Sequence, residues 1–205
     1  MAVQIFCTAI ITYMKDKKII KGAFLLGGAS FLAKILGAFY RVPLTNLLGS
    51  YGLGLYQMIF PVYALLLDFA GASLPTALSK IIAQGGEDPK LYLKSSKRLL
   101  LIFGVFFSLL LIVLSRRIAL LQGNENATLG YLFLAPSIML FSLLSCYRGY
   151  FQGLLKMFPT ALSQVVEQVV KLFVGLVLVR LFLPNLNLAV PGATFAITAS
   201  EDVAL

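Results

Sequence analysis

The stretch GAFLLGGASFLAKILGAFYRVPLTNLLGSYGLGLYQMIFPVYALLLDFAGASLPTALS, residues 22–79, decides the fold class of this chain. It contains two apolar runs, about 22–48 and about 55–79, separated by turn-forming residues at 49–52. An α-helix needs about 20 apolar residues to cross a bilayer, and both runs reach that length. The stretch therefore predicts two membrane-spanning helices joined by a short turn.

The rest of the chain repeats this pattern. Four more apolar runs follow, at about 99–118, 129–147, 160–183 and 188–205. The 205 residues are 60% hydrophobic and 12% charged, with a mean hydropathy of +0.92. Soluble chains are about 45–50% apolar and about 25% charged. The sequence therefore predicts an all-α, polytopic membrane helix bundle of six helices, the last one truncated, without a sizeable soluble domain.

The first fourteen residues are apolar and precede a lysine cluster that starts at Lys15. A secretory signal has its positive region first, so this segment does not match one. We predict that 1–14 is a start extension and that Met14 is the natural start, with a short interfacial helix as the alternative. The transmembrane lobe is then expected over 15–205.

The basic residues predict the orientation. There are 17 Lys and Arg against 8 Asp and Glu, a net charge of +9. Lys and Arg concentrate in cytoplasmic loops, so this excess indicates topology rather than binding to nucleic acid. A cytoplasmic N-terminus places three basic residues outside, three within helices and eleven inside. The external ones are Arg116, Arg117 and Arg180, and the intrahelical ones are Lys34, Arg41 and Lys171.

One face of the first predicted helix is cationic. Gly27, Ser30, Lys34, Gly37 and Arg41 recur at spacings of three or four, which places them on the same side. A charge at the bilayer centre costs about 2.5–3.5 kcal/mol, so a retained cation is expected to face a cavity or a partner. Lys34 and Arg41 are therefore candidate substrate-binding residues. The alternative is that Arg41 extends to the membrane surface.

The second predicted helix carries Pro61, Asp68 and Pro75 at heptad spacing. Proline weakens the hydrogen-bond ladder of a helix, so Pro61 and Pro75 are candidate hinges. Asp68 lies between them as a candidate cation or proton site, or as the ion-pair partner of Lys34 or Arg41. A purely structural ion pair is the alternative.

The segment YRGYFQG, residues 147–153, ends the fourth predicted helix on the cytoplasmic side. Arg148 and Gln152 predict a polar entrance there, with an ordinary interfacial aromatic belt as the alternative. In the fifth predicted helix Gln164, Glu167 and Lys171 form a polar stripe. Glu167 and Lys171 have the i,i+4 spacing of an ion pair, which predicts charge balancing, ion coupling or helix packing.

Several enzyme classes find no support in the sequence. The chain has no His, and it has no phosphate-binding loop, HExxH motif or paired acidic motif. We therefore expect no enzyme activity, no cofactor and no metal site.

Two blocks carry a family resemblance. KGAFLLGGASFLAKILGAFYRVPLTNLLGSYGLGLYQMIFPVYALLLDFAGASLPTALSKIIAQ spans residues 21–84, and YRGYFQGLLKMFPTALSQVVEQVVK spans residues 147–171. Both resemble the stage V sporulation protein B branch of the polysaccharide-transport proteins. That branch belongs to the multidrug/oligosaccharidyl-lipid/polysaccharide exporter superfamily, close to the lipid II flippases. The likeness covers residues 15 to about 197.

The resemblance implies two six-helix lobes around a central cavity in the bacterial inner membrane. Such proteins move a lipid-linked oligosaccharide diphosphate across the bilayer by alternating access. Lys34 and Arg41 match the family positions of cations that hold the pyrophosphate, and Asp68 and Glu167 are expected to balance charge. The chain has about half the family's length, which implies a missing C-terminal lobe and a truncated or frameshifted chain. The alternatives are a multidrug or cation antiporter of the same fold, or an inactive structural membrane fragment.

Overall fold

The computed structural model describes residues 17–72, 74–85, 88–183 and 185–205. Within these ranges the chain is helical, and the predicted all-α class is confirmed. The helices are α1 (Lys17–Leu67), α2 (Leu74–Gln84), α3 (Pro89–Leu121), α4 (Ala127–Gly153), α5 (Met157–Phe182) and α6 (Leu186–Ala204). A π-helical turn, Asp68–Ala72, follows α1. The predicted start extension at 1–14 lies outside the described residues.

The outer surface of the bundle suits lipid. Three helical stretches are long and apolar enough to cross a membrane: Ile20–Gln84, Pro89–Leu121 and Ala127–Gly153. Large apolar side chains on them are exposed, including Phe24, Phe31, Phe106 and Val113. Such a surface is a liability in water, whereas acyl chains cover it at no cost. The chain is therefore a membrane helix bundle.

The first two predicted helices both lie within α1, one on each side of a kink. The turn expected over 49–52 reduces to a single residue, Gly49, with φ 63° and ψ −170°. Without a Cβ, glycine adopts this conformation with little strain. Helix resumes at Ser50, well before the predicted start at about 55.

The second predicted helix is interrupted, which corrects the continuous run expected over 55–79. Gly71 in the π-helical turn has φ 119°, and α2 begins at Leu74. Pro75 therefore lies in the first turn of α2, where proline costs no hydrogen bond, rather than inside a continuous helix. Pro61 does lie inside α1. The sequence pattern missed the break because the apolar period continues through it.

Helices α3 and α4 extend beyond their apolar runs. Helix α3 begins at Pro89 rather than about 99, and the Asp88 side chain caps it by accepting a hydrogen bond from the Lys90 amide at 3.0 Å. Its C-terminal end contains Arg116, which pairs with Glu125 of the next loop at 2.9 Å. Helix α4 continues to Gly153 instead of ending near 147. A hydropathy pattern identifies only the apolar part of a helix. The N-terminal end of α3 and the C-terminal end of α4 contain polar residues, so the pattern did not include them.

Helix α6 lies in the centre of the bundle, packed against α5, α4 and α1. Small side chains on it allow neighbouring helices to approach closely. The fully buried ones are Ala189, Ala193, Thr194, Ala196 and Ser200. The helix continues through Glu201 and Asp202, where the apolar pattern ends. Burial of α6 therefore depends on packing rather than on contact with lipid.

Candidate functional site

A cavity of about 380 Å³ lies beside the kinked helix α1 and is closed on one side by α5. Both halves of α1 contribute to its wall, from either side of Gly49. The lining residues are Gly37, Tyr40, Arg41, Leu44, Leu53, Tyr56, Gln57, Phe60, Pro61 and Lys171. A mostly apolar pocket with a few convergent polar groups is the usual form of a small-molecule site.

Two cations from different helices share this cavity. Arg41 comes from the first half of α1, and its side chain is exposed. Lys171 comes from α5 and is half-buried. Neither forms an ion pair within the described part of the chain. The cavity is therefore an electropositive site with room for an anion.

Tyr40 lines the cavity, and its hydroxyl is enclosed beside it without a hydrogen-bond partner among the described residues. The whole residue is 4% exposed. An unsatisfied buried hydroxyl costs about 1–3 kcal/mol. Gly175 of α5 makes room for it, because a Cβ on that residue would lie 2.6 Å from Tyr40 Oη.

An ion pair joins α4 to α5, one of the two helices that line the cavity. Arg148 Nη2 donates to Glu167 Oε2 at 2.9 Å, and the two side chains are 13% and 17% exposed. Arg148 Nε also donates to Ser163 Oγ at 2.9 Å. The predicted i,i+4 ion pair of Glu167 with Lys171 is not found in the described part of the chain, where the planar guanidinium from α4 binds the carboxylate. Lys171 instead faces the cavity.

The small-residue face of α1 contacts the polar stripe of α5. Ser30 Oγ donates to Gln164 Oε1 at 2.9 Å. A Cβ built on Gly37 would lie 3.5 Å from Gln168 Oε1, so the two helices approach closely there. Gln164 of the stripe therefore contributes to helix packing, whereas Lys171 of the same stripe lines the cavity.

Some predicted site residues are not brought together. Lys34 is exposed and does not line the cavity, although it shares the helix with Arg41. Asp68 is exposed at the start of the π-helical turn and has no ion-pair partner in the described ranges. Its predicted pairing with Lys34 or Arg41 is therefore not found. Gln152 is half-buried near the end of α4, close in sequence to Arg148.

The sequence interpretation missed Glu201. This carboxyl is 2% exposed in α6, and its Oε1 accepts a hydrogen bond from Tyr63 Oη at 2.9 Å. Ser137 Oγ of α4 lies 3.1 Å from the same Tyr63 oxygen. The apolar pattern of the sixth predicted helix ends at this position, so the sequence pattern does not mark Glu201 as a site residue. Glu201 follows Ile197 by four residues, and residues with this spacing lie on the same face of a helix. This spacing was the sequence signal that Glu201 lies on the buried face of α6.

The apolar exterior and the electropositive cavity define a multi-pass membrane protein with a candidate anion site. The family described as "Polysaccharide biosynthesis protein" matches residues 19–205. The chain belongs to this family, and the predicted resemblance is confirmed. It is a multi-pass protein of the bacterial inner membrane.

Individual relatives agree with the family match. Stage V sporulation protein B of Bacillus subtilis is 30% identical over 94% of this chain and 38% of its own length. The membrane protein YabM of the same organism is 34% identical over 75% of this chain and 29% of its own length. The lipid II flippase MurJ, also from B. subtilis, is 28% identical over 88% of this chain and 37% of its own length. The chain thus spans well under half of these relatives. No solved structure matches it.

Proposed function

We propose that this chain is the N-terminal six-helix lobe of a flippase that moves a lipid-linked oligosaccharide diphosphate across the bilayer by alternating access. The observation that carries the proposal is the cavity lined by Arg41 and Lys171, with the unpartnered Tyr40 hydroxyl enclosed beside it. Two cations and a hydroxyl suit the negative oxygens of a diphosphate, and charge-assisted hydrogen bonds are stronger away from water. The proposal makes the protein a transporter rather than an enzyme.

The remaining polar residues have roles around this anion site. Lys34 lies about 10 Å from Arg41 along the helix, at a rise of about 1.5 Å per residue. It would bind the diphosphate headgroup transiently as the substrate enters or leaves the cavity. Arg148 and Gln152 would form a second polar contact at the cytoplasmic entrance. With the N-terminus inside, the substrate enters from the cytoplasmic leaflet.

Charge balance and bending are assigned to other side chains. Glu167 neutralises Arg148, and Asp68 offers an exposed carboxylate at the break between α1 and α2. Pro75 lies in the first turn of α2, four residues after the bend at Gly71, and Pro61 lies inside α1 at the border of the cavity, between the bends at Gly49 and Gly71 where the lobe would flex. Movement at these bends would change the shape of the cavity between its two states.

A second lobe is the proposed partner of this chain, alongside the lipid bilayer. The relatives named above are more than twice as long as the segment they share with this chain. The cavity is lined only by α1 and α5 within the described residues, so a facing lobe would enclose the saccharide headgroup. The name of one relative, lipid II flippase, supports a cell-wall precursor as the substrate class, and the sporulation protein supports a spore-envelope precursor.

The rival functions fit the site less well. A multidrug or cation antiporter of the same fold would carry cationic substrates, which Arg41 and Lys171 would repel. An inactive structural fragment would have its charges closed into ion pairs. Arg148 and Glu167 are closed in this way, whereas the two cations of the cavity are not.

The test is flipping of a fluorescent lipid-diphosphate oligosaccharide in proteoliposomes that contain the full-length protein. Arg41→Ala and Lys171→Ala are each expected to lower the initial rate at least tenfold, because each removes one of two cations from the diphosphate site. Arg180→Ala is the matched control, since Arg180 is an exposed cation in the last turn of α5 and does not line the cavity. Unchanged rates in both cavity variants would refute the assignment of these residues.

A further inference from the structure

We propose that Glu201 is a proton-binding site and that its protonation determines whether Lys171 is available to the anion in the cavity. The coupling half of this proposal rests on the proposed flippase function. The proton site itself rests only on the surroundings of Glu201.

The carboxyl of Glu201 is buried without a counter-ion. It is 2% exposed, and no Lys or Arg nitrogen of the described residues lies within 4.0 Å of it. Its Oε2 has no hydrogen-bond partner in the same part of the chain. An isolated ionised carboxylate in such surroundings is very costly, and the group becomes neutral instead. We therefore assign the proton to Oε2 in this conformation.

The hydrogen bonds around Glu201 fit a neutral carboxyl that connects three helices. Tyr63 Oη of α1 donates to Oε1, which acts as the carbonyl oxygen. Ser137 of α4 contacts the same hydroxyl and holds the ring in place. This network links α1, α4 and α6 at the centre of the bundle, so a change of charge at Glu201 would act on all three.

The charged groups near Glu201 come from two of the helices packed against α6. Arg148 belongs to α4, and Glu167 and Lys171 belong to α5. Tyr63 is the titratable group that α1 presents to it. Arg148 is already paired with Glu167, so Lys171 is the cation left to respond when Glu201 loses its proton.

Lys171 connects the proton site to the cavity. Its side chain borders the cavity together with Arg41, and its helix α5 packs against α6, which carries Glu201. With Glu201 neutral, Lys171 is available to a diphosphate. When the proton leaves Oε2 for water, the new carboxylate competes for the same ammonium, and the anion loses one of its two cations. Proton and anion therefore bind together and leave together.

A proton fits this site better than a metal cation. Hard metal cations prefer about six or more oxygen ligands. No group of three or more His, Cys, Asp or Glu that could hold a metal is found among the described residues. One free carboxylate oxygen matches the single bond that a proton needs.

Infrared difference spectroscopy of the full chain in lipid nanodiscs, titrated with pH, tests the proton site. The wild-type protein is expected to show the C=O band of a protonated buried carboxyl, and Glu201→Gln is expected to lose it. Asp202→Asn is the matched control, since Asp202 is the exposed neighbour on the same helix. A band that remains in Glu201→Gln overturns the proposal. So does a wild-type band that NaCl abolishes and choline chloride does not, because a sodium site would then replace the proton site.

Tyr63→Phe provides a second measurement that does not depend on how Glu201→Gln folds. Loss of the hydrogen bond to Oε1 is expected to shift the same C=O band to higher frequency. An unshifted band overturns the assignment of the proton to this carboxyl.

Flipping by the full-length protein under an imposed pH gradient tests the coupling. Wild-type rates are expected to change with the gradient, and Glu201→Gln is expected to lose that dependence. A gradient dependence retained by Glu201→Gln refutes the coupling. If the wild-type protein does not flip the substrate at all, the proposed function fails, while the infrared result still decides the proton site.

Discussion

Single residues in the cavity have separable roles in stability and in binding. Tyr40 is buried, yet its hydroxyl has no protein partner in the described ranges. The ring packs in the core with Leu44 and Leu48. The ring therefore stabilises the fold, and a ligand reaches the enclosed hydroxyl only when α1 and α5 move apart.

Tyr40→Phe is predicted to weaken binding of a diphosphate lipid roughly tenfold or more, because a hydrogen bond to a charged group contributes about 1.5–3 kcal/mol. Its thermal stability in detergent is expected to be unchanged or slightly higher, since the lost hydroxyl was unsatisfied. Isothermal titration with the full-length protein and thermal unfolding followed by circular dichroism measure the two effects.

Tyr51→Phe is the matched control for this prediction. The Tyr51 hydroxyl accepts hydrogen bonds from Asn126 at 2.9 Å and from Asn124 at 3.4 Å, away from the cavity. The control is expected to lose some stability and to keep its affinity. Equal affinities in the wild type and in Tyr40→Phe would contradict a ligand role for that hydroxyl.

At the scale of elements, one glycine shapes α1. Gly49 has a conformation close to the region that only glycine occupies readily, and nothing lies within 4 Å of a Cβ built on it. The kink therefore depends on backbone freedom rather than on lack of space. Because residues before and after it line the cavity, the kink also positions the site.

Gly49→Ala is predicted to destabilise the kinked conformation by about 1–3 kcal/mol, the usual cost of a strained backbone position. Spin labels placed at Phe39 and Leu65, both exposed, would report a changed distance distribution in double electron–electron resonance. Gly54→Ala is the control, since it is an unhindered glycine within the helix. A wild-type distribution in Gly49→Ala would show that the kink is imposed by packing instead.

At the scale of the whole molecule, orientation is the property that charge distribution predicts. The segment 88–98 carries Lys90, Lys94, Lys97 and Arg98, whereas the segment between α3 and α4 contains Glu125 and two asparagines. Arg116 is a basic residue on the predicted external side, against the positive-inside rule, and it forms an ion pair with Glu125. A cytoplasmic N-terminus remains the prediction of the positive-inside rule.

Cysteine labelling in intact cells tests this orientation. In a background with Cys7→Ala and Cys146→Ala, a cysteine at Lys94 is expected to react only after the membrane is permeabilised. A cysteine at Glu125 is expected to react with an impermeant maleimide added outside. Both parent residues are exposed, so access and not burial decides the result. The reverse pattern would place the N-terminus outside.

The sequence by itself determined the helical membrane class, because apolar runs of bilayer length leave few other folds open to the backbone. It also identified Lys34, Arg41, Lys171 and Glu167 as charges within membrane helices, where each is costly without a partner, and Arg148 as a charge at the cytoplasmic end of a helix. It could not determine which of them meet. Periodicity places residues on one face of their own helix and carries no information about the helix opposite.

Tertiary structure alone decided the pairings. It joined Arg148 to Glu167, left Lys171 to share a cavity with Arg41, and left Lys34 outside that cavity. It also buried Glu201 at a position where the apolar pattern stops. The physical reason is that the energetic cost of a charged side chain depends on the groups around it. The packing of α6 against three other helices brings those groups together.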